Sequence, residues 1–306
     1  MGILYTNIHS YQEGLILKWD ELTTYEKSLL LGTLLGDGHI SVHKKKYPNA
    51  NLRYGEHFSA KQLEYREWKL NHAPRIFSSI IKNNNGTSAS LTSKHDELFT
   101  WLRNQLYIGG KKSVPLHLLR ECTDPVFLLA LYLDDGSLCL TRSSRSKKNQ
   151  IILTPHIALY LQAFHPSELN YLSQFIYETF GHQFVLSRRN DGHNYILRIQ
   201  KTQEALNFLK FTKPYATEIP SMAWKLDWDY RFSLEKKQNP DKVVISSKPK
   251  NDYTERDIEY IVTSKLRGQT DQEIADALGR TYWSVVYKWQ DIKKNRLRED
   301  EVMYVN

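Results

Sequence analysis

Two short segments of the chain place an aspartate at the same position of the same pattern. Leu-Leu-Gly-Thr-Leu-Leu-Gly-Asp-Gly at residues 30–38 reads in register with Leu-Leu-Ala-Leu-Tyr-Leu-Asp-Asp-Gly at residues 128–136, so Asp37 and Asp135 both stand eighth of nine. Two nearby carboxylates repel each other unless a cation lies between them, and hard divalent cations prefer oxygen ligands. Such cations activate water and neutralise charge during phosphodiester hydrolysis. The repeated aspartate therefore indicates a metal-dependent hydrolytic site.

Both segments follow signals that begin a helix. Thr23 and Glu26 have the spacing of a capping box, in which each side chain bonds to the backbone N–H of the other residue. Ahead of the second segment, Asp124 precedes Pro125, and proline is favoured at the first helical position. Each segment is apolar almost all round, which is typical of a helix buried on several sides. The sequence thus predicts two buried helices that each end at an Asp-Gly pair.

Packing of the two helices against each other would assemble the site. Gly32 and Ala130 occupy the same third position of the two segments, and small residues there allow two helix backbones to approach closely. We therefore expect the ends of the helices to lie side by side. The predicted ligands of Mg²⁺ or Mn²⁺ are two carboxylates and two peptide oxygens, from Asp37, Asp135, Gly36 and Asp134.

The segments after each helix repeat the same order of elements. Extended segments follow first, then a helix, then one or two strands, then a closing helix. In the first half these are residues 40–43, 53–59, 63–72, 87–92 and 96–106. In the second half they are residues 137–142, 150–163, 166–180, 183–187, 195–200 and 203–211. This order predicts an α+β unit that is present twice.

The composition changes after Phe232 to polar, proline-punctuated sequence, which is typical of a linker. Three short helices with a glycine at each joint follow, at residues 254–267, 270–278 and 281–294. This pattern suits a helix-turn-helix module whose last helix enters the major groove of DNA. The predicted division is a first half, a second half, a linker and a C-terminal module, at residues 1–121, 122–234, 235–251 and 252–306.

The nine-residue segments resemble the LAGLIDADG motif of homing endonucleases, and the resemblance extends over about residues 22–232. It implies two pseudo-symmetric αββαββα halves that pack through the motif helices, with saddle-shaped antiparallel sheets in successive major grooves. It also implies that Asp37 and Asp135 are the catalytic pair, and that Asp134 is the less suitable side-chain ligand.

Two further stretches occupy equivalent places in the repeats, at residues 111–115 and 219–225. The resemblance implies that Lys112 and Lys225 lie beside the active centre, where a lysine can stabilise charge on the phosphate or polarise the attacking water. Residues 275–288 resemble the last two helices of Myb-like and related helix-turn-helix domains. In that module Ile274, Ala275, Leu278, Val285 and Trp289 have the spacing of core residues.

Basic and polar residues on the expected sheets and in the C-terminal module are candidates for DNA contact. Some would hold phosphates, and those on the groove-facing side of a strand would read bases. The candidates are Lys44, Lys45, Lys46, Arg53, Arg142, Arg145, Lys147, Lys148, Gln162, Arg188, Arg189, Arg198, Arg280, Thr281, Tyr282, Ser284 and Lys288. Ser59 takes the place of Gln162 in the first half, so the two positions differ between the repeats.

The overall composition supports a nucleic-acid partner. Forty-two Lys and Arg against thirty-four Asp and Glu give a net charge of +8, which favours a polyanion. The sequence has neither a signal-peptide pattern at its start nor an apolar run long enough to span a membrane. Two cysteines, Cys122 and Cys139, lack the spacing of a zinc site and are expected to be reduced thiols. We therefore expect an intracellular protein that does not bind membranes.

Three interpretations remain open at this point. The leading one is a free-standing, intron-encoded endonuclease that cuts double-stranded DNA as a monomer, because one chain already holds two non-identical halves. The second is a maturase that binds a group I intron RNA and assists its splicing, and the third is a regulator that binds DNA without cutting it. Intact aspartates at both eighth positions favour the endonuclease.

Overall fold

The computed structural model describes residues 17–41, 51–189, 191–192, 194–248 and 253–303, with side chains as far as residue 294. The chain divides into two compact units, Met1–Pro249 and Lys250–Asn306. Among the described residues, none of the helices combines the length and apolar character that crossing a membrane requires.

The first half of the larger unit begins with the first motif helix. Its elements are α1 (Thr24–Leu35), β1 (His39–Ser41), β2 (Arg53–Ser59), α2 (Leu63–His72), β3 (Ser79–Lys82), β4 (Ser88–Thr92), α3 (Glu97–Leu106), β5 (Tyr107–Ile108), β6 (Lys111–Lys112) and α4 (Leu116–Leu119).

The second half begins with the second motif helix and repeats this order as far as α7. Its elements are α5 (Val126–Asp135), β7 (Gly136–Arg145), β8 (Gln150–Leu159), α6 (Pro166–Phe180), β9 (Val185–Arg188), β10 (Tyr195–Ile199), α7 (Thr202–Thr212), α8 (Tyr215–Glu218), α9 (Ala223–Leu226), α10 (Trp228–Gln238) and β11 (Val243–Ser246).

The two halves have sheets of the same topology. The first has the order β1-β2-β4-β3 and the second β7-β8-β10-β9, and these neighbours pair antiparallel. The predicted α+β fold of two repeated halves is confirmed. The sequence pattern missed β3, whose four residues are too few to show a clear alternation.

The motif helices α1 and α5 pack against each other in the middle of the core. The side chains of both are buried over most of their length, which agrees with their apolar sequence. A Cβ atom added to Gly32 would lie 2.5 Å from the backbone oxygen of Phe127, so only glycine permits this approach. The predicted contact at the third motif position therefore holds for Gly32.

Side chains fix where both motif helices begin. Thr23 and Glu26 form the predicted capping box, with Thr23 Oγ1 accepting from the Glu26 amide at 3.2 Å. Asp124 Oδ1 accepts from the Val126 amide at 3.0 Å. These bonds satisfy amide groups that would otherwise lack partners at the start of each helix.

The segment predicted to be a linker is largely folded. Helix α10 continues to Gln238, and Glu235 within it is buried and bonded to Arg142. Residues 243–246 form β11, which pairs parallel to β8. A run of polar residues suggested solvent exposure, but Val243-Val-Ile-Ser246 adds an apolar strand to the second sheet, where Val244 packs with Ile151 and Leu153.

The smaller unit contains α11 (Glu255–Leu266), α12 (Asp271–Ala277) and α13 (Tyr282–Met303). Helices α11 and α12 begin with capping boxes, at Thr254 and Thr270. The core residues predicted from spacing are confirmed: Ile274, Ala275 and Val285 are buried, with Leu278 and Trp289 packed against them.

Candidate active site

The two motif aspartates lie at the same end of the α1–α5 pair, but the helices end differently. Helix α5 includes Asp135, whereas α1 stops at Leu35, two residues before Asp37. Burial raises the pKa of Asp135 to about 7, and the negative charges of Asp37 and Asp134 add to the effect. The two motif carboxylates therefore lie near enough to repel each other, and bound cations would relieve this repulsion.

The carboxyl group of Asp135 has no bonded partner in the described part of the chain. Within the described part of the chain, no hydrogen bond or ion pair engages its carboxylate, which is only partly exposed. A carboxylate in this state fits an oxygen-preferring divalent cation, because the cation would supply the missing charge partner.

Lys112 and Lys225 contact the carbonyl groups around the two aspartates. Lys112 Nζ donates to the oxygens of Gly36, at 3.0 Å, and Gly38, at 2.9 Å. Lys225 Nζ donates to the oxygen of Leu133 at 2.8 Å. Burial lowers the pKa of both lysines, that of Lys225 to about 8. One lysine thus stands at each motif, and the Gly36 oxygen, a predicted metal ligand, is bonded to one of them.

The Asp134 side chain turns away from solvent and into the first half. It is fully buried, accepts from Thr33 Oγ1 at 2.9 Å, and pairs with Lys69 Nζ at 2.9 Å. Burial opposes its ionisation, but Lys69 and Arg66 outweigh burial and lower the pKa of the carboxyl group. These internal donors hold the side chain, which leaves the backbone oxygen as the predicted ligand.

A buried cluster of charges that the sequence did not reveal lies beneath the motif aspartates. Glu56 on β2 and Arg66 and Lys69 on α2 are fully buried, and we call these three residues the ionic trio. Arg66 Nη2 lies 2.5 Å from Glu56 Oε1 and 2.7 Å from Asp37 Oδ2. Lys69 Nζ lies 3.0 Å from Glu56 Oε2. The trio therefore connects Asp37 of the first motif with Asp134 of the second.

The acidic residues around Arg66 have the spacing of a cation site. One carboxylate oxygen each from Asp37, Glu56 and Asp134 falls within 4.8 Å of the others. Arg66 Nη2 contacts two of these residues closely and lies 3.9 Å from Asp134 Oδ1. The guanidinium group thus occupies the position among these three acids that a bound metal cation would take.

The second half has no counterpart of the ionic trio. When Ser59 is matched to Gln162 without insertions, Glu56, Arg66 and Lys69 align with three leucines, Leu159, Leu169 and Leu172. All three leucines are fully buried. This comparison of the repeats is the signal that could have found the trio, since charges stand where the other half buries leucine.

The candidate DNA-contact residues fall on different faces of the sheets. In the first sheet, Arg53, His57 and Ser59 lie on the face opposite the core, by alternation with buried Tyr54 and Phe58. In the second sheet the corresponding face holds a depression of about 520 Å³ lined in part by Cys139, Thr141, His156, Tyr160, Arg198 and Gln200. These surfaces are polar rather than densely basic.

Arg142 lies on the opposite face from the predicted groove-reading surface. It is paired in the ladder with buried Leu153, and its guanidinium forms an ion pair of 2.7 Å with buried Glu235 of α10. Strand alternation therefore turns Arg142 toward α10 and gives it an internal partner. Because about half of its side chain is still exposed, its contact with DNA stays a prediction.

The remaining sheet candidates lie near strand ends and turns. Arg145, Lys147 and Lys148 are exposed at the tip of the β7–β8 hairpin. Arg188 donates to the oxygen of Gly192, and Arg189 pairs with Asp191. Gln162 has a buried Oε1 atom with no hydrogen-bond partner among the described residues. Lys44, Lys45 and Lys46 lie outside the described residues.

In the smaller unit, the candidates divide into exposed and internally bonded residues. Thr281 and Tyr282 are exposed at the start of α13. Arg280 pairs with Asp257 and stacks on Tyr253, whereas Ser284 bonds to the Tyr253 hydroxyl and Lys288 pairs with Asp291. Two exposed aromatic residues, Trp283 and Tyr287, stack on the same helix and were not assigned from the sequence.

Comparison with known proteins places the larger unit in a family. Residues 27–206 match the model of the LAGLIDADG DNA endonuclease family. Because the match covers more than half of the chain, the protein belongs to this family. The fold is similar to that of the homing endonuclease I-WcaI, whose structure was solved bound to its DNA recognition sequence. The two chains are 20% identical with a TM-score of 0.50, and the match covers 68% of this chain and 88% of that chain.

Curated relatives match over part of their own length. Proteins named RecA from Mycobacterium shimoidei and Mycolicibacterium flavescens are 28% and 26% identical to this chain over 206 residues. Each match covers 67% of this chain and 47% of the relative. The chain thus spans about half the length of these relatives, and their name says nothing about the activity of the matched part.

Proposed function

We propose that this member of the LAGLIDADG DNA endonuclease family is a homing endonuclease that makes a metal-dependent double-strand break in a long DNA target. One observation carries the proposal: Asp37 and Asp135 lie at the same end of the paired motif helices, and each motif has its own lysine bonded to its backbone. Two acids and two lysines suit a centre that hydrolyses one phosphodiester in each strand.

The residues fit a divalent cation such as Mg²⁺ or Mn²⁺. Asp37, Asp135 and the peptide oxygens of Gly36 and Asp134 would hold such cations, and the Asp135 carboxylate, which has no bonded partner in the described chain, supports this fit. When bound, the metal supplies Lewis-acid stabilisation of the phosphate and lowers the pKa of water. Lys112 and Lys225 are anchored on motif carbonyl groups, so their ammonium groups are already positioned to stabilise developing negative charge.

The outer faces of the two sheets are the proposed DNA-binding surface. Their hydroxyl, imidazole and amide groups can donate to or accept from base edges, and Arg198 and Arg53 add positive charge. The orphan oxygen of Gln162 supports a role in contact with a ligand, because buried polar atoms seldom lack a partner. The DNA-bound state of I-WcaI, a protein of similar fold, supports the same assignment.

The three-helix unit is proposed to extend the DNA contact as a helix-turn-helix module. The exposed start of α13 offers Thr281 and Tyr282, and Trp283 is 61% exposed. Hydroxyl groups can bond phosphates or bases, and aromatic rings can contact the methyl groups of thymine. Because one chain already contains both motifs, we propose that the protein acts as a monomer.

The experiment that tests this function uses a plasmid carrying the uninterrupted host sequence on either side of the reading frame. The purified protein is incubated with this plasmid in Mg²⁺ or in EDTA, and with a plasmid that lacks the site. We expect linear product only with the site and Mg²⁺. No cleavage, together with tight binding to the intron RNA, would support the maturase instead. Tight, uncut binding to duplex DNA would support a regulator.

A further inference from the structure

The ionic trio gives the two motif aspartates different surroundings. Asp37 Oδ2 is bonded to Arg66 at 2.7 Å, whereas no ion pair holds the Asp135 carboxylate within the described chain. Arg66 is fully buried, and its Nε and Nη1 atoms have no hydrogen-bond partner among the described residues. Among the described residues, the guanidinium therefore donates a hydrogen bond only from Nη2, to Asp37, and the same nitrogen forms the ion pair with Glu56.

From this contrast we infer that the centre holds one divalent cation at each motif aspartate and that Arg66 makes these two positions unequal. A divalent cation at Asp37 has to displace or share the guanidinium, while a cation at Asp135 meets an unpaired carboxylate. The Asp135 position therefore fills first and the Asp37 position binds more weakly. Arg66 acts as a positioning residue, since it works through Asp37. The inference rests on the proposed function and adds an order of metal binding to it.

A purely structural role for the trio explains these observations less well. Leu159, Leu169 and Leu172 fill the equivalent positions of the second half, so the fold is built there without charge. Buried ion pairs can often be replaced by apolar residues of similar volume with little loss of stability. Packing alone therefore does not require Glu56, Arg66 and Lys69. A difference between the charged surroundings of Asp37 and those of Asp135 does require them.

Order of metal binding also predicts an order of cleavage. If the Asp135 position fills first, the phosphate that faces Asp135 is hydrolysed first, and a nicked intermediate precedes the linear product. This order of cleavage is set by the protein itself, because the ionic trio is present in the first half and absent from the second.

The test measures binding of Mn²⁺ alone to the metal-free, full-length protein by electron paramagnetic resonance. For the unaltered chain we expect two sites whose dissociation constants differ by roughly tenfold to a hundredfold, the ratio that corresponds to one charge-assisted hydrogen bond. The variant Glu56→Gln/Arg66→Met removes one charge of each sign and leaves the Lys69–Asp134 pair intact. This variant should strengthen Mn²⁺ binding at the weaker site until the two dissociation constants agree within about threefold.

Two further variants complete the test. Leu169→Met changes the equivalent buried position of the second half and should leave both affinities unchanged. Arg66→Lys keeps a cation beside Asp37 and should keep the sites unequal, which a role in packing alone does not predict. Thermal unfolding confirms that each variant is folded.

Two equal sites in the unaltered protein, or unequal sites that Glu56→Gln/Arg66→Met does not change, would overturn the inference and leave the proposed nuclease function standing. If Mn²⁺ binds at no site that Asp135→Asn removes, both the inference and the metal-dependent function fail. The two failures are thus distinguishable in one set of titrations.

Discussion

The carboxylate of Asp134 lies directly against the backbone of Gly36 in the other motif segment. A Cβ atom added to Gly36 would be 2.6 Å from the Asp134 Cβ and 2.8 Å from its Oδ2. The seventh motif position therefore carries a side chain in one half and none in the other. The contact with Gly36 leaves the Asp134 carboxylate in a position where it accepts hydrogen bonds from Lys69 Nζ and Thr33 Oγ1.

Gly36→Ala should therefore destabilise the junction of the two halves. Overpacking of a filled interior usually costs about 1–3 kcal/mol, and here the neighbour that must move is a buried, bonded carboxylate. Urea denaturation of the metal-free protein measures the loss. Thr24→Ala, at an exposed position of the same helix, is the control and should change the free energy of unfolding by less than about 0.5 kcal/mol. Equal stability of Gly36→Ala and the unaltered protein would contradict this packing.

The raised pKa of Asp135 makes the stability of the metal-free protein depend on pH. A carboxyl group whose pKa is raised by folding stabilises the protein fully below its unfolded pKa of about 4, and this contribution is lost as the pH rises through its folded pKa. For Asp135 the loss should run from about pH 4 to about 7.

Asp135→Asn removes this dependence. In EDTA at pH 8 the variant should be more stable than the unaltered protein by about 2 kcal/mol, a figure reduced for partial solvent screening, and the difference should vanish near pH 4. Thermal unfolding at several pH values measures it. A difference that stays constant across this range would show that Asp135 does not titrate there.

The two lysines beside the motifs, Lys112 and Lys225, should each contribute to the rate of cleavage more than to DNA affinity. Loss of one preorganised charge or donor near a reacting phosphate typically lowers the rate about 10²–10³-fold. We expect Lys112→Met and Lys225→Met to show such losses in single-turnover cleavage while specific binding is retained. Lys111→Met changes the exposed neighbour of Lys112 and is the matched control. A loss of binding equal to the loss of rate would place these lysines on the DNA surface instead.

Removal of the smaller unit should weaken DNA binding without changing the chemical step. A protein truncated after Pro249 neutralises fewer phosphates, so its affinity should fall less steeply with salt, by about one unit of slope for each phosphate that is no longer neutralised. Binding measured from low to moderate salt gives the slope, and single-turnover cleavage at saturating protein gives the rate. An unchanged slope would assign the three-helix unit another role.

The motif helices were predictable because several signals agree at α1 and α5. Their capping residues, their continuous apolar character and the small residue Gly32 all indicate two buried helices that touch each other. The repeated order of elements then gave the main helices and strands of both halves, but it missed β3, the β5–β6 pair, α4 and the helices α8 to α10.

The ionic trio and β11 were not predictable from one pass along the sequence. Arg66 and Lys69 sit on a helix, where charges are normally solvated, and only the fold shows that Asp134 and Glu56 converge on them. Strand β11 follows a polar stretch, and its pairing with β8 is a long-range interaction that local composition does not reveal. The ion pair of Arg142 with Glu235 was not predicted either, because the two residues are distant in sequence.

The measurement that tests the central claim most directly is cleavage of the site-bearing plasmid by Asp37→Asn and Asp135→Asn beside the unaltered protein. Replacement of a carboxylate by an amide removes the charge that holds a metal and keeps the shape of the side chain. We expect double-strand cleavage to disappear in both variants while specific DNA binding persists. Linear product from either variant at the rate of the unaltered protein would contradict an active centre built on Asp37 and Asp135.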